Sequence, residues 1–312
     1  MIEIIKGAFF GLAVGDALGV PVEFSSREQL KKSPITDMTG GGVWNQPIGT
    51  WSDDSSLAFC LADALMYGYN LDAIAAYFID WRMSGFWGAH HKVFDVGNAT
   101  DAAIRRLIKG TSPELAGGMM ESDNGNGSLM RILPLLFFVK DLPIDERLKI
   151  IREVSSITHA HFRSVFACFI YIETAIQILQ GLKAKDAYSK MRRTILEFSD
   201  NKGFNRYELA FFDRILYSEI DVLDEQKINS DGYVLHTLEA GLWCLLNSTS
   251  YSEAVLKAVN LGGDTDTTAC ITGGLAGILY GFDKIPSDWK TQIARKDDIE
   301  DLCRRFGQSI SK

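Results

Sequence analysis

Two short stretches, more than two hundred residues apart, carry paired carboxylates flanked by hydroxyls and run straight into apolar sequence: SDDSSLAFCLADAL (52–65) and DTDTTACITGGLAG (264–277). Asp, Ser and Thr are favoured helix N-caps because their oxygens accept from first-turn amides, and acidic groups suit the positive end of the helix dipole. Capping accounts for one Asp per helix. It does not account for two clusters, each with two aspartates and several hydroxyls, each opening a helix too apolar for the surface. If the clusters meet, four carboxylates share a small volume, and unit charges 4 Å apart repel by about 4 kcal/mol at an effective dielectric of ~20. Protonation relieves that repulsion. Hard divalent cations relieve it better, because carboxylates, hydroxyls and water are the ligands of Mg²⁺ and Mn²⁺. Ser52, Asp53, Asp54, Asp264, Asp266 and Thr267 are therefore read as the ligand set for two divalent cations, Mg²⁺ or Mn²⁺. Neither cluster contains His or Cys, which argues against zinc. Gly262 and Gly263 permit close backbone approach beside the second cluster, and Gly273, Gly274 and Gly277 permit tight helix packing beneath it.

The elements that must position these groups are helices. Ile4, Ile5, Ala8, Phe9, Leu12 and Ala13 follow the i, i+3, i+4 spacing of a buried face. That helix is expected to end at Gly15–Gly19, leaving Asp16 in a turn with a loop-stabilising hydrogen bond. Further helices are expected over 54–67, 71–82, 98–109, 129–139, 145–157, 161–180, 185–198, 206–216, 234–246, 251–260 and 267–280. The stretch 161–180 is apolar nearly all round, which places it at the centre of a bundle. No stretch alternates with period two, so the chain is expected to be all-α, one domain over 1–312. The loops richest in Gly, Ser and Asn, 36–56, 84–98 and 121–128, are long for helix connections, and such loops tend to carry function.

Composition narrows the partners. Hydrophobic residues make up 46% of the 312, enough for a sizeable core, and the net charge of -8 argues against nucleic-acid binding. The five cysteines are scattered without a C-x-x-C, as reduced core thiols of a cytoplasmic protein would be. The apolar N-terminus carries Glu3, Lys6 and Asp16 and no basic leader, and no apolar run reads as a membrane span. A monomer is expected. Asn126, Gly127 and Ser128 form a polar turn just before the expected helix 129–139. Backbone amides there can hold a pyrophosphate, or Ser128 can cap the helix. Trp44, Phe86 and Trp87 are weighed as adenine-stacking rings against ordinary core aromatics.

Six blocks now stand together in one order: GLAVGDALGVPVEF, GTWSDDSSLAF, DVGNAT, NGNGSLMRILPL, THAHFRS and LGGDTDTTACITGGLAGILYG. This series resembles the signature of the ADP-ribosylglycohydrolases across about nine-tenths of the chain, residues 7–281. Ser52 and Ser55 stand where that family usually has Thr, which keeps the hydroxyl. The resemblance implies a compact orthogonal helical bundle, two Mg²⁺ or Mn²⁺ ions, and hydrolysis of the bond between C1'' of the distal ribose and an acceptor. It implies an acid/base or gating role for Glu23, at the end of the first block. It places Asp95 close to the reacting ribose, with Gly97 and Asn98 beside it at a helix start that they can also cap. His159 matches a histidine of the substrate cleft, while His161 reads as structural. Asp95, Glu23 and Asp264 are the candidate proton carriers, unranked. The implied substrate is an ADP-ribosylated protein, with arginine as the acceptor, or a small ADP-ribosyl conjugate. The competing readings are a non-catalytic ADP-ribose-binding relative, an immunity or regulatory relative, and a metal-dependent phosphohydrolase.

Overall fold

A computed structural model describes residues 1–310. Eleven helices of nine or more residues account for most of them: α1 Ile2–Gly19, α2 Asp53–Leu65, α3 Leu71–Ser84, α4 Asn98–Ile108, α5 Ile144–Ser156, α6 Phe162–Leu179, α7 Ala184–Lys202, α8 Val234–Leu246, α9 Tyr251–Val259, α10 Thr265–Tyr280 and α11 Lys296–Ser309. No strand occurs among the described residues, and only isolated bridges such as Gly125–Tyr233 link loops. The all-α expectation therefore holds.

The fold is organised by α1 against α10. Gly7, Gly11, Gly15 and Gly19 fall every fourth residue and line one face of α1. A Cβ added at each would lie 2.3, 2.3, 2.1 and 2.3 Å from Gly277 O, Gly273 O, Ala269 O and Asp266 Cα. The two backbones are thus in direct contact, with no side chain between them. Tyr251 Oη bonds to Gly11 O and Tyr171 Oη to Ile271 O, each at 2.8 Å, tying α9 and α6 to this pair. The apolar residues around them join one contiguous core running from Ile5 to Phe306.

Two segments have the length and hydropathy of a membrane span, which the expectation of no such run missed: Ile2–Val22 and Phe162–Leu179. Their apolar windows are 83% and 89% buried inside the fold, so the protein interior takes the place that lipid would have.

Three further details differ from expectation. The first helix ends at Gly19, inside the expected Gly15–Gly19 span, but Asp16 lies within the helix and not in a turn, because the glycines are its packing face. Residues 129–134 form turns, and only Leu135–Val139 is helical, with Pro134 at its N-cap. The stretch 206–216 breaks at Phe211–Phe212 into Arg206–Ala210 and Asp213–Tyr217. The helix α11 escaped the periodicity reading although Ile299, Leu302, Cys303 and Phe306 mark its buried face. All five cysteines are free and buried.

Candidate active site

Because α1 and α10 touch, the start of α10 lies against the end of α1, and α2 completes the meeting. Asp16, on α1, accepts from Ser52 N (2.9 Å), Ser55 N (3.1 Å) and Ser55 Oγ (2.6 Å). It thus supplies acceptors for the first turn of α2 from another helix, alongside Ser52, whose own Oγ accepts from Asp54 N at 3.3 Å. Thr267 Oγ1 donates to Asp54 Oδ1 at 3.3 Å, bridging the two acidic clusters. The sequence-distant pairs do meet.

The loops complete the site. Glu23 follows α1, and its neighbour Phe24 donates N–H to Gly263 O while Gly263 N donates to Ser25 O, both at 2.8 Å. This two-bond clamp, with Gly263 at φ 75° against Ser230, fixes the turn before Asp264. Arg27 reinforces it by donating to the carbonyls of Leu261, Glu225 and Ile228. Asp95, from the 84–98 loop, reaches the same place. Carboxylate oxygens of Glu23, Asp95 and Asp266 lie within 4.8 Å of one another. Asp95 (φ 52°) and Phe24 (φ 64°) both occupy the left-handed region, a cost of order 1–3 kcal/mol each that functional sites tend to carry.

Burial acts on these acids before anything else. It pushes the carboxyls of Asp53, Asp54 and Asp266 well above the usual carboxylate range, with neighbouring carboxylates adding to the shift. Burial and then Asp95 push Glu23 up to about 9, against a hydrogen bond from Trp44. Burial likewise raises Asp95, and lifts Asp16 to about 6 despite its bonds from Ser52 and Ser55. Two buried oxygens, Asp54 Oδ2 and Asp264 Oδ1, have no partner at all. Orphaned acceptors in a cluster of hard oxygen donors fit cations that would bind there.

A stability consequence follows, with its sign set by the direction of these shifts. A carboxyl whose folded pKa is raised contributes stability that is complete below its unfolded value and is lost as pH rises through the folded one. For Asp16 that window runs from 3.8 to about 6, and for Glu23 from 4.5 to about 9. In chelator, the melting temperature should therefore fall steadily from pH 5 to pH 9. Thermal melts across that range check it, and saturating Mn²⁺ should shrink the fall.

The acids Glu23, Asp53, Asp54, Asp95 and Asp264, with Thr267, line a cavity of about 350 Å³. Gly97, Asn98, Thr100, Asn126, Gly127 and His159 also line it. Asn126 Nδ2 donates to Asp264 Oδ2 and to Thr237 Oγ1, both at 2.9 Å, so it orients the acid as well as lining the cleft. His159 is buried and kept neutral, its pKa pushed down to about 3 by desolvation and then by Arg131. Thr158 Oγ1 pairs with its Nδ1 at 2.8 Å.

Several expected positions move. Ser128 is not in the cleft. Its hydroxyl accepts from Ser155 Oγ at 2.9 Å, deep in the core, because residues 127–134 turn instead of opening a helix. No helix N-terminus faces the cleft there. Ser52 is buried as a cap, and Asp266 is buried within 4.8 Å of the cavity-lining Glu23 and Asp95 without lining the cavity itself. Trp87 is a core residue bonded to Asp63, and Phe86 packs on Tyr77. His161 caps α6 by accepting from Arg163 N, as a structural residue would. Asp16 is the residue whose importance the sequence reading undervalued. Arg131 is another. It is fully buried, donates to Gly127 O and Val154 O, and so holds up the 125–131 loop from behind.

Comparison with known proteins decides the lineage. The profile of the ADP-ribosylglycohydrolase family matches residues 2–312. The chain belongs to the ADP-ribosylglycohydrolase family. It is 30% identical over 313 residues to the ADP-ribosylarginine hydrolase Tri1 of Serratia proteamaculans, covering 96% of this chain and 78% of the relative. It is 30% identical over 299 residues to the ADP-ribosyl-[dinitrogen reductase] glycohydrolase of Rhodospirillum rubrum, covering 94% and 91%. A solved ADP-ribosylglycohydrolase-related protein complex superposes with a TM-score of 0.83 at 28% identity, covering 99% of this chain and 98% of that one. The family places the acid-lined cavity in a glycohydrolase.

Proposed function

We propose that this family member hydrolyses the bond between C1'' of ADP-ribose and the guanidinium nitrogen of a modified arginine, with two divalent cations, Mg²⁺ or Mn²⁺, held by Asp53, Asp54, Asp264, Asp266 and Thr267. The observation that carries the reading is the convergence of both acidic clusters on one cavity, with buried oxygens of Asp54 and Asp264 left without partners. Arginine is chosen as acceptor because both Tri1 relatives, the second from Pseudomonas putida at 31% identity, are named for ADP-ribosylarginine.

When bound, the cations would orient the ribose hydroxyls and lower the pKa of water. The chain's own residues do the rest. His159, Gly125 and Gly127 line the same cavity and offer surface for the remainder of ADP-ribose. Asn126 fixes Asp264 by its amide. Glu23 and Asp95, with carboxylate oxygens within 4.8 Å of each other, are the candidates to accept the proton of the attacking water and return one to the departing nitrogen. One water is consumed, and ADP-ribose and free arginine are the products.

The test is release of ADP-ribose from an ADP-ribosylated arginine peptide. Turnover should disappear in chelator and return with Mn²⁺ or Mg²⁺. The Asp53→Ala/Asp264→Ala double variant should lose at least about a hundredfold in kcat. Turnover that survives chelator and both substitutions would end the proposal, and ADP-ribose binding without turnover would favour a binding protein instead.

A further inference from the structure

Three aromatic rings cluster beside Glu23 and Asp95, outside the packed interior. Phe24 and Trp44 have ring centroids 6.5 Å apart, and Trp44 and Phe94 5.8 Å apart. Phe24 is 64% exposed and forms part of the cavity wall. Trp44 and Phe94 are half-buried, yet neither belongs to the core cluster nor packs against it, unlike their neighbours Val93 and Val96. Each ring is held beside an acid. Phe24 directly follows Glu23, Phe94 directly precedes Asp95, and Trp44 Nε1 donates to Glu23 Oε2 at 2.5 Å. Leaving apolar rings out of the core forgoes burial, and Phe24 is held with positive φ as well. Aromatic faces joined to carboxylates form a cation-binding surface, and a planar guanidinium suits it best because it stacks and donates at once.

We propose that Phe24, Trp44 and Phe94 form the acceptor subsite, which takes the guanidinium of the modified arginine onto the aromatic faces with Glu23 and Asp95 at its edge. This rests on the glycohydrolase reading above and adds a determinant of acceptor choice. The subsite adjoins the cavity through Phe24 and through Glu23, which lines the same cavity and accepts from Trp44. A neutral serine hydroxyl would gain little from such a surface.

The experiment compares release of ADP-ribose from an arginine-linked and a serine-linked ADP-ribosyl peptide by the unaltered Mn²⁺-loaded protein and by Trp44→Leu, Phe94→Leu, Phe24→Leu and Trp44→Phe. Binding of free ADP-ribose is measured by calorimetry on the same samples. Each leucine variant should raise KM for the arginine-linked peptide roughly three- to thirtyfold, with ADP-ribose affinity unchanged. Serine-linked turnover should stay unchanged in Phe24→Leu and Phe94→Leu, whereas Trp44→Leu, which also takes the N–H from Glu23, should lose kcat on both peptides. Trp44→Phe, which keeps a ring but loses the N–H to Glu23, should retain most of the arginine affinity. Phe94→Leu and Phe24→Leu leave that hydrogen bond intact, so they separate the rings from the positioning of Glu23. Equal losses on both peptides with weaker ADP-ribose binding would overturn the proposal and assign the rings to adenine. Unchanged kinetics in all the leucine variants would also overturn it. No turnover of the arginine-linked peptide by the unaltered protein would defeat the underlying reading first, and this one with it. Should a Trp44 variant fail to fold, the exposed Phe24→Leu carries the test.

Discussion

Asp54→Asn is expected to lose about a hundred- to a thousandfold in kcat and, in chelator, to melt a few degrees higher than the unaltered protein. The two effects have one origin. Asp54 is buried with one oxygen orphaned and with Asp16, Asp53 and Asp264 raising its pKa further. The amide keeps an oxygen for Thr267 Oγ1, removes an ionisable group from a volume that disfavours charge, and weakens a cation ligand. A site arranged for catalysis is held at a cost to stability, so its neutral variant gains stability while losing function. Thermal melts with and without Mn²⁺, beside a turnover assay, read both quantities. Adding Mn²⁺ should raise the melting temperature of the unaltered protein and barely move that of the variant. A variant less stable than the parent in chelator would mean that Asp54 is a structural cap and no more.

The second large effect lies in the glycine face of α1. Gly15→Val puts a branched side chain where even a Cβ would sit 2.1 Å from Ala269 O and 2.6 Å from Ala269 C. Backbone on both sides leaves no flexible side chain to yield, so α1 and α10 must separate. The expected cost is about 3 kcal/mol or more, enough to leave much of the protein unfolded or insoluble at 37 °C. Chemical denaturation measures it. By contrast, Gly68→Ala meets nothing within 4 Å and strains only its positive φ, so its cost should stay near 1 kcal/mol. Similar losses for the two would mean that the α1–α10 contact is not close.

How the site is laid out was legible in the sequence to the extent that chemistry repeats. Two acidic clusters with hydroxyls, separated by more than two hundred residues, have no common explanation other than meeting, and they meet. All three polar loops singled out by length and composition contribute to the cleft: Asp53 from 36–56, Asp95 from 84–98 and Asn126 from 121–128. Asp16 was misjudged because glycines every four residues read as a helix end, whereas close helix packing needs the same residues. Ser128 was misplaced for the opposite reason. The apolar run after it satisfies helical spacing, but Pro134 and the buried Arg131, which takes up Gly127 O, favour turns. Such tertiary demands leave no periodic trace. Of the rings beside Glu23 and Asp95 the sequence singles out only Trp44, as a stacking or core group, and not Phe24 or Phe94, since nothing local marks an aromatic residue as unneeded by the interior.

The glycine face has a further consequence, in the order of synthesis. The helix α1 is synthesised well before its partner α10, with about 250 residues between them. At roughly 5–20 residues per second, translation leaves that face uncovered for about 12–50 s. During that interval an apolar segment of membrane-span length lacks the partner of its glycine face and can meet only earlier neighbours such as Phe59 and Phe137, which pack on Phe9. A nascent chain lacking residues 264–267 also lacks two of the four aspartates proposed as cation ligands, so the proposed site would be incomplete until α10 begins to form. Assembly of the fold and maturation of the site are therefore one late event, and premature termination would yield a product with neither.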